Sequence, residues 1–303
     1  MSGTSGTKPR RSGKSQESAA RESLGAHVSI QGGTPTAPAR GSAIGATALQ
    51  IFTKTPNMWR EPEITPDIAT MFLRERDSHP VEAIVSHDSY LINLASPDPE
   101  LRAKSLAAFQ GELRRSEALR LEGIVSHPGN YIDDHAAGIE RNARAITEAL
   151  RAVPGKVSVF LETTAGTGSA LGRTFEELAT IRELIGDDVR HRVAFCADTC
   201  HLYSAGYDLV GDFDRVWQVW DQVLGLGLLR CLHLNDSKTP FASRKDRHEL
   251  IGDGSLGTEP FRRLMTDPRF ASVPKLLETP KGDDEVTNDR RMLTLLRGFY
   301  RTN

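Results

Sequence analysis

The chain has 303 residues, enough for one large domain, since α/β barrels commonly reach roughly 250 residues as a single unit. Hydrophobic residues make up 38%, charged residues 26%, and the formal net charge is −2; the chain therefore carries no global basic signature, although bound divalent ions would add positive charge that residue counting omits. Three cysteines exclude a disulfide framework, and no apolar stretch approaches the ~20 residues that span a bilayer, so the expectation is a soluble, cytoplasmic protein.

Residues 1–22 are rich in Ser, Gly, Thr and Ala with scattered Lys and Arg. Such a segment buries too little apolar surface to offset its ordering entropy and reads as a disordered tail, leaving 23–303 as the folded domain. From Leu24 onward, short apolar runs alternate with helical patterns. Strands are predicted over 26–30, 48–52, 83–87, 123–127, 158–162, 193–198, 229–234 and 274–278. Helices are predicted over 99–121, 136–152, 174–185, 213–225 and 259–265. Thr174 and Glu177 read as a capping box, and Val216, Trp217 and Trp220 as a core-facing stripe. Cys196 and Cys200 read as small packing residues, because C-x₃-C matches neither a redox nor a zinc-knuckle spacing. The glycines of 164–172 miss the dinucleotide fingerprint spacing and read as a tight βα loop.

Regular strand–helix alternation implies a parallel sheet, and eight units imply closure into a (β/α)₈ barrel of the TIM type. The predicted strands end in metal-ligand residue types. His87, His127, Glu162, Asp198, His233 and Glu278 follow one another at intervals of 40, 35, 36, 35 and 45 residues, close to one βα unit each. A barrel gathers these ends at one mouth, and clustered buried carboxylates would repel one another without cations. His201, three residues after Asp198, and the loop pair Asp246 and His248 extend the set to nine, enough for two or three ions. Mixed imidazole and carboxylate ligands suit zinc, with manganese or iron open.

Several segments carry a resemblance. They are Gly25-Ala26-His27-Val28-Ser29, His87-Asp88-Ser89-Tyr90-Leu91-Ile92-Asn93-Leu94, His127-Pro128-Gly129, Asp198-Thr199-Cys200-His201, His233-Leu234-Asn235-Asp236-Ser237-Lys238, Ser243-Arg244-Lys245-Asp246-Arg247-His248 and Leu277-Glu278-Thr279. In these, and in their order, the chain resembles the endonuclease IV family of apurinic/apyrimidinic endonucleases. The resemblance implies a trinuclear zinc site: one ion on His87, His127 and Glu162; a second on Glu162, Asp198, His233 and Glu278; a third on His201, Asp246 and His248. It implies hydrolysis of the phosphodiester 5′ to an abasic site in double-stranded DNA, leaving a 3′-hydroxyl and a 5′-deoxyribose phosphate. Glu162 would bridge two ions and position the nucleophile. Tyr90 and Leu91 match residues that press into DNA at the lesion. Lys54, Lys238, Arg244 and Arg247 are candidate phosphate contacts, and a monomer is expected.

The chain departs from the family pattern at Asn57, where an Arg is usual, and at Thr163 and Thr167, within a segment that usually reads Glu-Asn-Thr-Ala-Gly-Gln-Gly. Two rival readings stand beside this one. A barrel sugar isomerase or epimerase would need only one or two ions, and a module that binds damaged DNA without cutting it would not need the ligand cluster.

Overall fold

Buried on both faces, the strands of a parallel barrel carry near-continuous apolar runs. In the computed structural model, which describes residues 22–301, these runs form β1 (Leu24–His27), β2 (Ala48–Phe52), β3 (Ala83–His87), β4 (Gly123–Ser126), β5 (Ser158–Glu162), β6 (Val193–Asp198) and β7 (Leu229–His233). A small antiparallel ribbon of β8 (Asp236–Ser237) and β9 (His248–Glu249) follows, and then β10 (Lys275–Leu277). The eight longer strands are parallel and close in the order β1-β10-β7-β6-β5-β4-β3-β2. The helices are α1 (Ala37–Ile44), α2 (Pro66–Ser78), α3 (Pro99–Ala118), α4 (His135–Ala152), α5 (Phe175–Leu184), α6 (Thr199–Ala205), α7 (Phe213–Val223), α8 (Glu259–Thr266) and α9 (Thr287–Gly298). Among the described residues, no helix is long and apolar enough to cross a membrane.

The barrel is the predicted one, with shifted edges. β1 starts two residues earlier than expected, and β4 and β10 stop one residue short of His127 and Glu278. Four helices escape the sequence pattern. α1 contains both Pro38 and Gly41 in eight residues, and α6 begins on the residue after Asp198 and has only seven residues. α2 and α9 bury few of their residues, so their apolar stripes are thin. The predicted tail lies, apart from Glu22, outside the described residues. Glu22 itself is paired with Arg297 of α9, and its carbonyl accepts from Thr47 Oγ1 at 2.5 Å.

Two cores hold the structure. One lies between barrel and helices and contains Trp217, Trp220, Phe175 and Phe261, so the predicted stripe of α7 is packing. The other fills the barrel interior with small residues around one ring: Ala48, Ala83, Val85, Val125, Phe160, Ala194, Cys196, Cys231 and Leu276. Gly123 makes room for that ring, since a Cβ there would lie 2.4 Å from Phe160 Cζ. Thr174 caps α5 as expected, accepting from the Glu177 N–H at 3.2 Å. The Glu177 carboxylate, however, accepts from the N–H groups of Gly172 and Arg173. It thereby ties down the end of the glycine-rich loop.

Where β1 crosses β2 the backbones nearly touch: a Cβ on Gly25 would fall 1.6 Å from the Ala48 carbonyl oxygen. Gly25→Ala is expected to cost about 3 kcal/mol or more, at the upper end of overpacking effects, read as a lowered denaturant midpoint. Gly227→Ala, with nothing within 4 Å, is expected to change stability by less than about 0.5 kcal/mol.

Candidate metal centre

Strand register decides where each side chain arrives. β3 ends in His87, β5 in Glu162, β6 in Asp198 and β7 in His233, while His127 and Glu278 are the first residues past β4 and β10. Asp198 also caps α6: its Oδ1 accepts from the His201 N–H at 2.8 Å, which fixes His201 one turn above the strand end. β9 delivers His248, and Asp246 precedes it on the same loop. The nine side chains fall into three groups whose donor atoms lie within 4.8 Å of one another: His87, His127 and Glu162; Glu162, Asp198, His233 and Glu278; and His201, Asp246 and His248.

The imidazoles are oriented by what their other nitrogens do. His87 Nδ1 lies 2.9 Å from the Asp88 carbonyl, His201 Nδ1 2.8 Å from the Thr163 carbonyl, and His248 Nδ1 3.2 Å from the Glu278 carbonyl. A carbonyl only accepts, so Nδ1 carries the proton in each, and a neutral ring presents a lone pair at Nε2. Those lone pairs point at carboxylates: His87 Nε2 is 3.3 Å from Glu162 Oε2, His201 Nε2 3.1 Å from Asp246 Oδ2, and His248 Nε2 3.2 Å from Asp246 Oδ1. Glu162 Oε2, His201 Nε2 and His248 Nε2 are buried with no hydrogen-bond partner. Lone pair against lone pair is repulsive, and only a proton or a cation between them relieves it. The residues therefore fit metal ions.

Charge says the same. Burial pulls the His87 imidazole down, but the hydrogen bond and charge of Glu162 outweigh it and hold the group at about 9. Burial likewise opposes protonation of His248, which Asp198 and Asp246 raise to about 9. His201 and His233 are also raised well above the usual imidazole value, against burial, by the surrounding carboxylates. Burial alone would raise Glu162, yet His233 and His127 hold it far below the ordinary carboxylate range. Asp246 and Glu278 are depressed in the same way.

Several supporting residues were not singled out by strand-end spacing. Gln50 of β2 donates through Nε2 to Glu278 Oε1 at 2.5 Å and accepts through Oε1 from His233 Nε2 at 2.8 Å. His27 lies 3.6 Å from Glu278 and is pulled down by burial. Asn235 donates to Asp198 Oδ2 at 2.6 Å, and its Oδ1 accepts from the Glu278 N–H at 2.8 Å. A polar residue buried inside a strand otherwise apolar, as Gln50 is, was the available signal. Thr163, one of the departures, accepts from the Asp198 N–H at 3.0 Å and so keeps a supporting role. Thr167 Oγ1 donates to the Arg244 carbonyl at 2.8 Å, joining the glycine-rich loop to the loop between β8 and β9.

A cavity of about 340 Å³ covers the groups, lined among others by Phe52, Tyr90, His127, His248 and Lys281. It shares His27, Phe52 and Lys281 with a larger cavity of about 650 Å³ bordered by Ser29, Gln31 and Arg40, and His127, His201 and Asp246 with one of about 420 Å³ bordered by Asn130, Lys245 and Arg247. Tyr90 stands at the rim, 66% exposed, its ring 5.4 Å from that of Phe52, and Leu91 beside it is half-buried. Asn57, Lys238, Arg244 and Arg247 are exposed. Lys54 corrects the expectation of a phosphate contact. Its side chain is 1% exposed, with the ammonium paired to Glu61 and donating to the Met58 carbonyl at 3.0 Å, so it braces the loop after β2 instead. The N–H groups of Thr164, Ala170, Leu171, Gly172 and Arg173 are bonded within the protein, which fixes both ends of the glycine-rich loop.

Comparison with known proteins gives the family. Residues 38–297 match the family described as "Xylose isomerase-like TIM barrel", AP_endonuc_2. A protein of Geobacter sulfurreducens named "Probable endonuclease 4" is 48% identical over 278 residues, covering 90% of this chain and 93% of that one. The chain belongs to the endonuclease IV family. A protein of the same name from Chloroflexus aurantiacus is 45% identical over 280 residues, 91% of this chain and 97% of its own. The crystal structure of endonuclease IV from Thermus thermophilus superposes with a TM-score of 0.82 at 33% identity, over 92% of this chain and 99% of that one. A D-tagatose 3-epimerase-like protein has a TM-score of 0.67 at 16% identity, over 91% of this chain and 97% of that one, a likeness of fold alone. Membership of the endonuclease IV family sets aside the sugar isomerase reading.

Raised imidazoles make the metal-free protein pH-sensitive. His87 and His248 titrate at about 9 when folded against 6.5 when free, so their contribution to stability is full below 6.5 and lost as pH rises through 9. A chelator-stripped sample should show a falling unfolding temperature across that window, and added Zn²⁺ should flatten the fall.

Proposed function

We propose that this chain is a zinc-dependent abasic-site endonuclease of double-stranded DNA, holding three zinc ions and cutting the phosphodiester 5′ to the lesion to leave a 3′-hydroxyl and a 5′-deoxyribose phosphate. The observation that carries the reading is the division of nine donors into three groups, with Glu162 shared between two of them. One or two ions would serve an isomerase; the third group is surplus to that chemistry. When bound, the ions would supply positive charge to the phosphoryl group and acidify a water to serve as nucleophile near neutral pH.

The chain's own residues do the rest. Glu162 turns Oε2 toward His127 at 2.9 Å and Oε1 toward His233 at 2.8 Å, so its two oxygens address two groups at once. That geometry suits a bridging carboxylate, which would also orient the attacking water. Gln50 and Asn235 hold Glu278 and Asp198 in place, so the donor set is assembled before substrate arrives. An abasic nucleotide lacks a base to unstack and is cheaper to extrude than an intact one, which is one source of selectivity. The exposed Tyr90 ring lines the cavity beside the donors and would occupy the gap left in the stack. Arg244 and Arg247 would meet phosphates without reading sequence, and Asn57 would face the duplex from the loop after β2.

The decisive experiment is nicking of a duplex carrying a tetrahydrofuran abasic analogue, with and without chelator, beside elemental analysis. Expected are chelator-sensitive incision and about three zinc ions per chain, as the donor sets allow. One ion or none would discard the trinuclear reading, and binding without incision would leave only a recognition module. Glu162→Gln should fold but lose incision by at least ~10²-fold, more than loss of an outer-shell partner costs. Tyr90→Ala should raise KM for the abasic duplex by roughly tenfold, in line with about 1–3 kcal/mol for a base–aromatic stack, with zinc content unchanged.

A further inference from the structure

Below the carboxylates lies a second donor set that this chemistry does not use. Cys196 of β6 and Cys231 of β7 are register partners, as are Asp198 and His233 two residues further along the same strands. Side chains alternate along a strand, so Cys196 shares a face with Asp198, and Cys231 with His233. The thiols thus form a layer inside the barrel directly beneath the Asp198–His233 layer. Both are fully buried, and donor atoms of Cys196, Cys231 and His233 all lie within 4.8 Å of one another.

We propose that Cys196, Cys231 and His233 form a separate site for a soft divalent cation such as Cd²⁺, occupied in exclusion of an ion on Glu162, Asp198, His233 and Glu278. Two sulfurs and one imidazole are a soft set, whereas three carboxylates and one imidazole are a hard one, so the two select different ions. His233 belongs to both. Its Nε2 is engaged by Gln50 Oε1 at 2.8 Å, which leaves Nδ1, 2.8 Å from Glu162 Oε1 and 3.2 Å from Glu278 Oε2, as its one available lone pair. An ion seated on the thiols takes that lone pair from the carboxylate set. On binding, each thiol yields its proton to solvent and ligates as thiolate, and His233 Nδ1 gives up the proton it shares with the carboxylates of Glu162 and Glu278, so the ion enters as three protons leave. The site is thereby an inhibitory one, through which a thiophilic metal removes a ligand from the catalytic centre without touching the substrate cleft. The exclusion rests on the function proposed above; the binding does not.

The test is titration of the chelator-stripped full-length protein with CdCl₂, following the ultraviolet thiolate-to-cadmium charge-transfer absorption. The wild type should saturate at roughly one equivalent, Cys196→Ala should lose about half of the absorption, and the Cys196→Ala/Cys231→Ala variant all of it. Cys200→Ala, which lies in another group with Asp198 and His248, should retain it. The cadmium NMR shift of the wild type, which reports the number of sulfur ligands, decides the matter if the double variant does not fold. Absence of the absorption in folded wild type, its persistence in the double variant, or its loss in Cys200→Ala overturns the site. In nicking assays, Cd²⁺ should inhibit the zinc-loaded wild type and spare the double variant. Equal inhibition of both overturns the exclusion, and a chain that never nicks refutes the proposed function while leaving the absorption measurement to judge the site.

Discussion

Everything at the mouth of this barrel follows from electron pairs forced to face one another. Main-chain carbonyls claim one nitrogen of His87, His201 and His248, and the lone pair left on the other nitrogen of each neutral ring meets a carboxylate oxygen. The protein can relieve this by protonating the rings, which explains their raised affinity for protons, or by accepting cations. The two remedies compete for the same lone pairs. Metal affinity and pH response are therefore two views of one electrostatic demand, centred on Glu162 with its two oxygens turned to different neighbours.

The barrel meets that demand by register. A closed parallel sheet brings residues from six strand ends within a few ångströms, although they are spread over almost two hundred positions in the chain. The single large ring of Phe160, admitted by Gly123, fills the interior among small neighbours. Eight strands closed in this way bring the donor groups into overlap, so that Glu162 and His233 each belong to more than one set.

Much of this was legible in the sequence because period and spacing are local properties. Strand ends recurring once per βα unit exposed the six donors, and short-range motifs exposed His201, Asp246 and His248. What escaped depends on contacts between strands or on burial of single polar groups. Gln50 reads as one polar residue in an apolar run, and only closure of the barrel sets it between Glu278 and His233. Cys196 has Cys200 as its neighbour in sequence, whereas its neighbour in space is Cys231, one strand away. Lys54 has the composition of a surface loop residue, but Glu61 and the Met58 carbonyl draw it inward. Helices α1 and α6 are too short for their periodicity to register.

The ribbon of β8 and β9 is unlike the rest of the centre in how it is held. Its base hangs on one buried carboxylate, Asp236, which accepts from the N–H groups of Ser237, Gly252, Gly254 and Leu256. At its far end Asp246 keeps a side chain 47% open to solvent, while Glu162, Asp198 and His233 have none of theirs exposed. Ions seated at the three groups would consequently exchange at unequal speeds, the outermost first. Scarcity of metal would then strip the protein in sequence, leaving an inner pair in a barrel that is still folded.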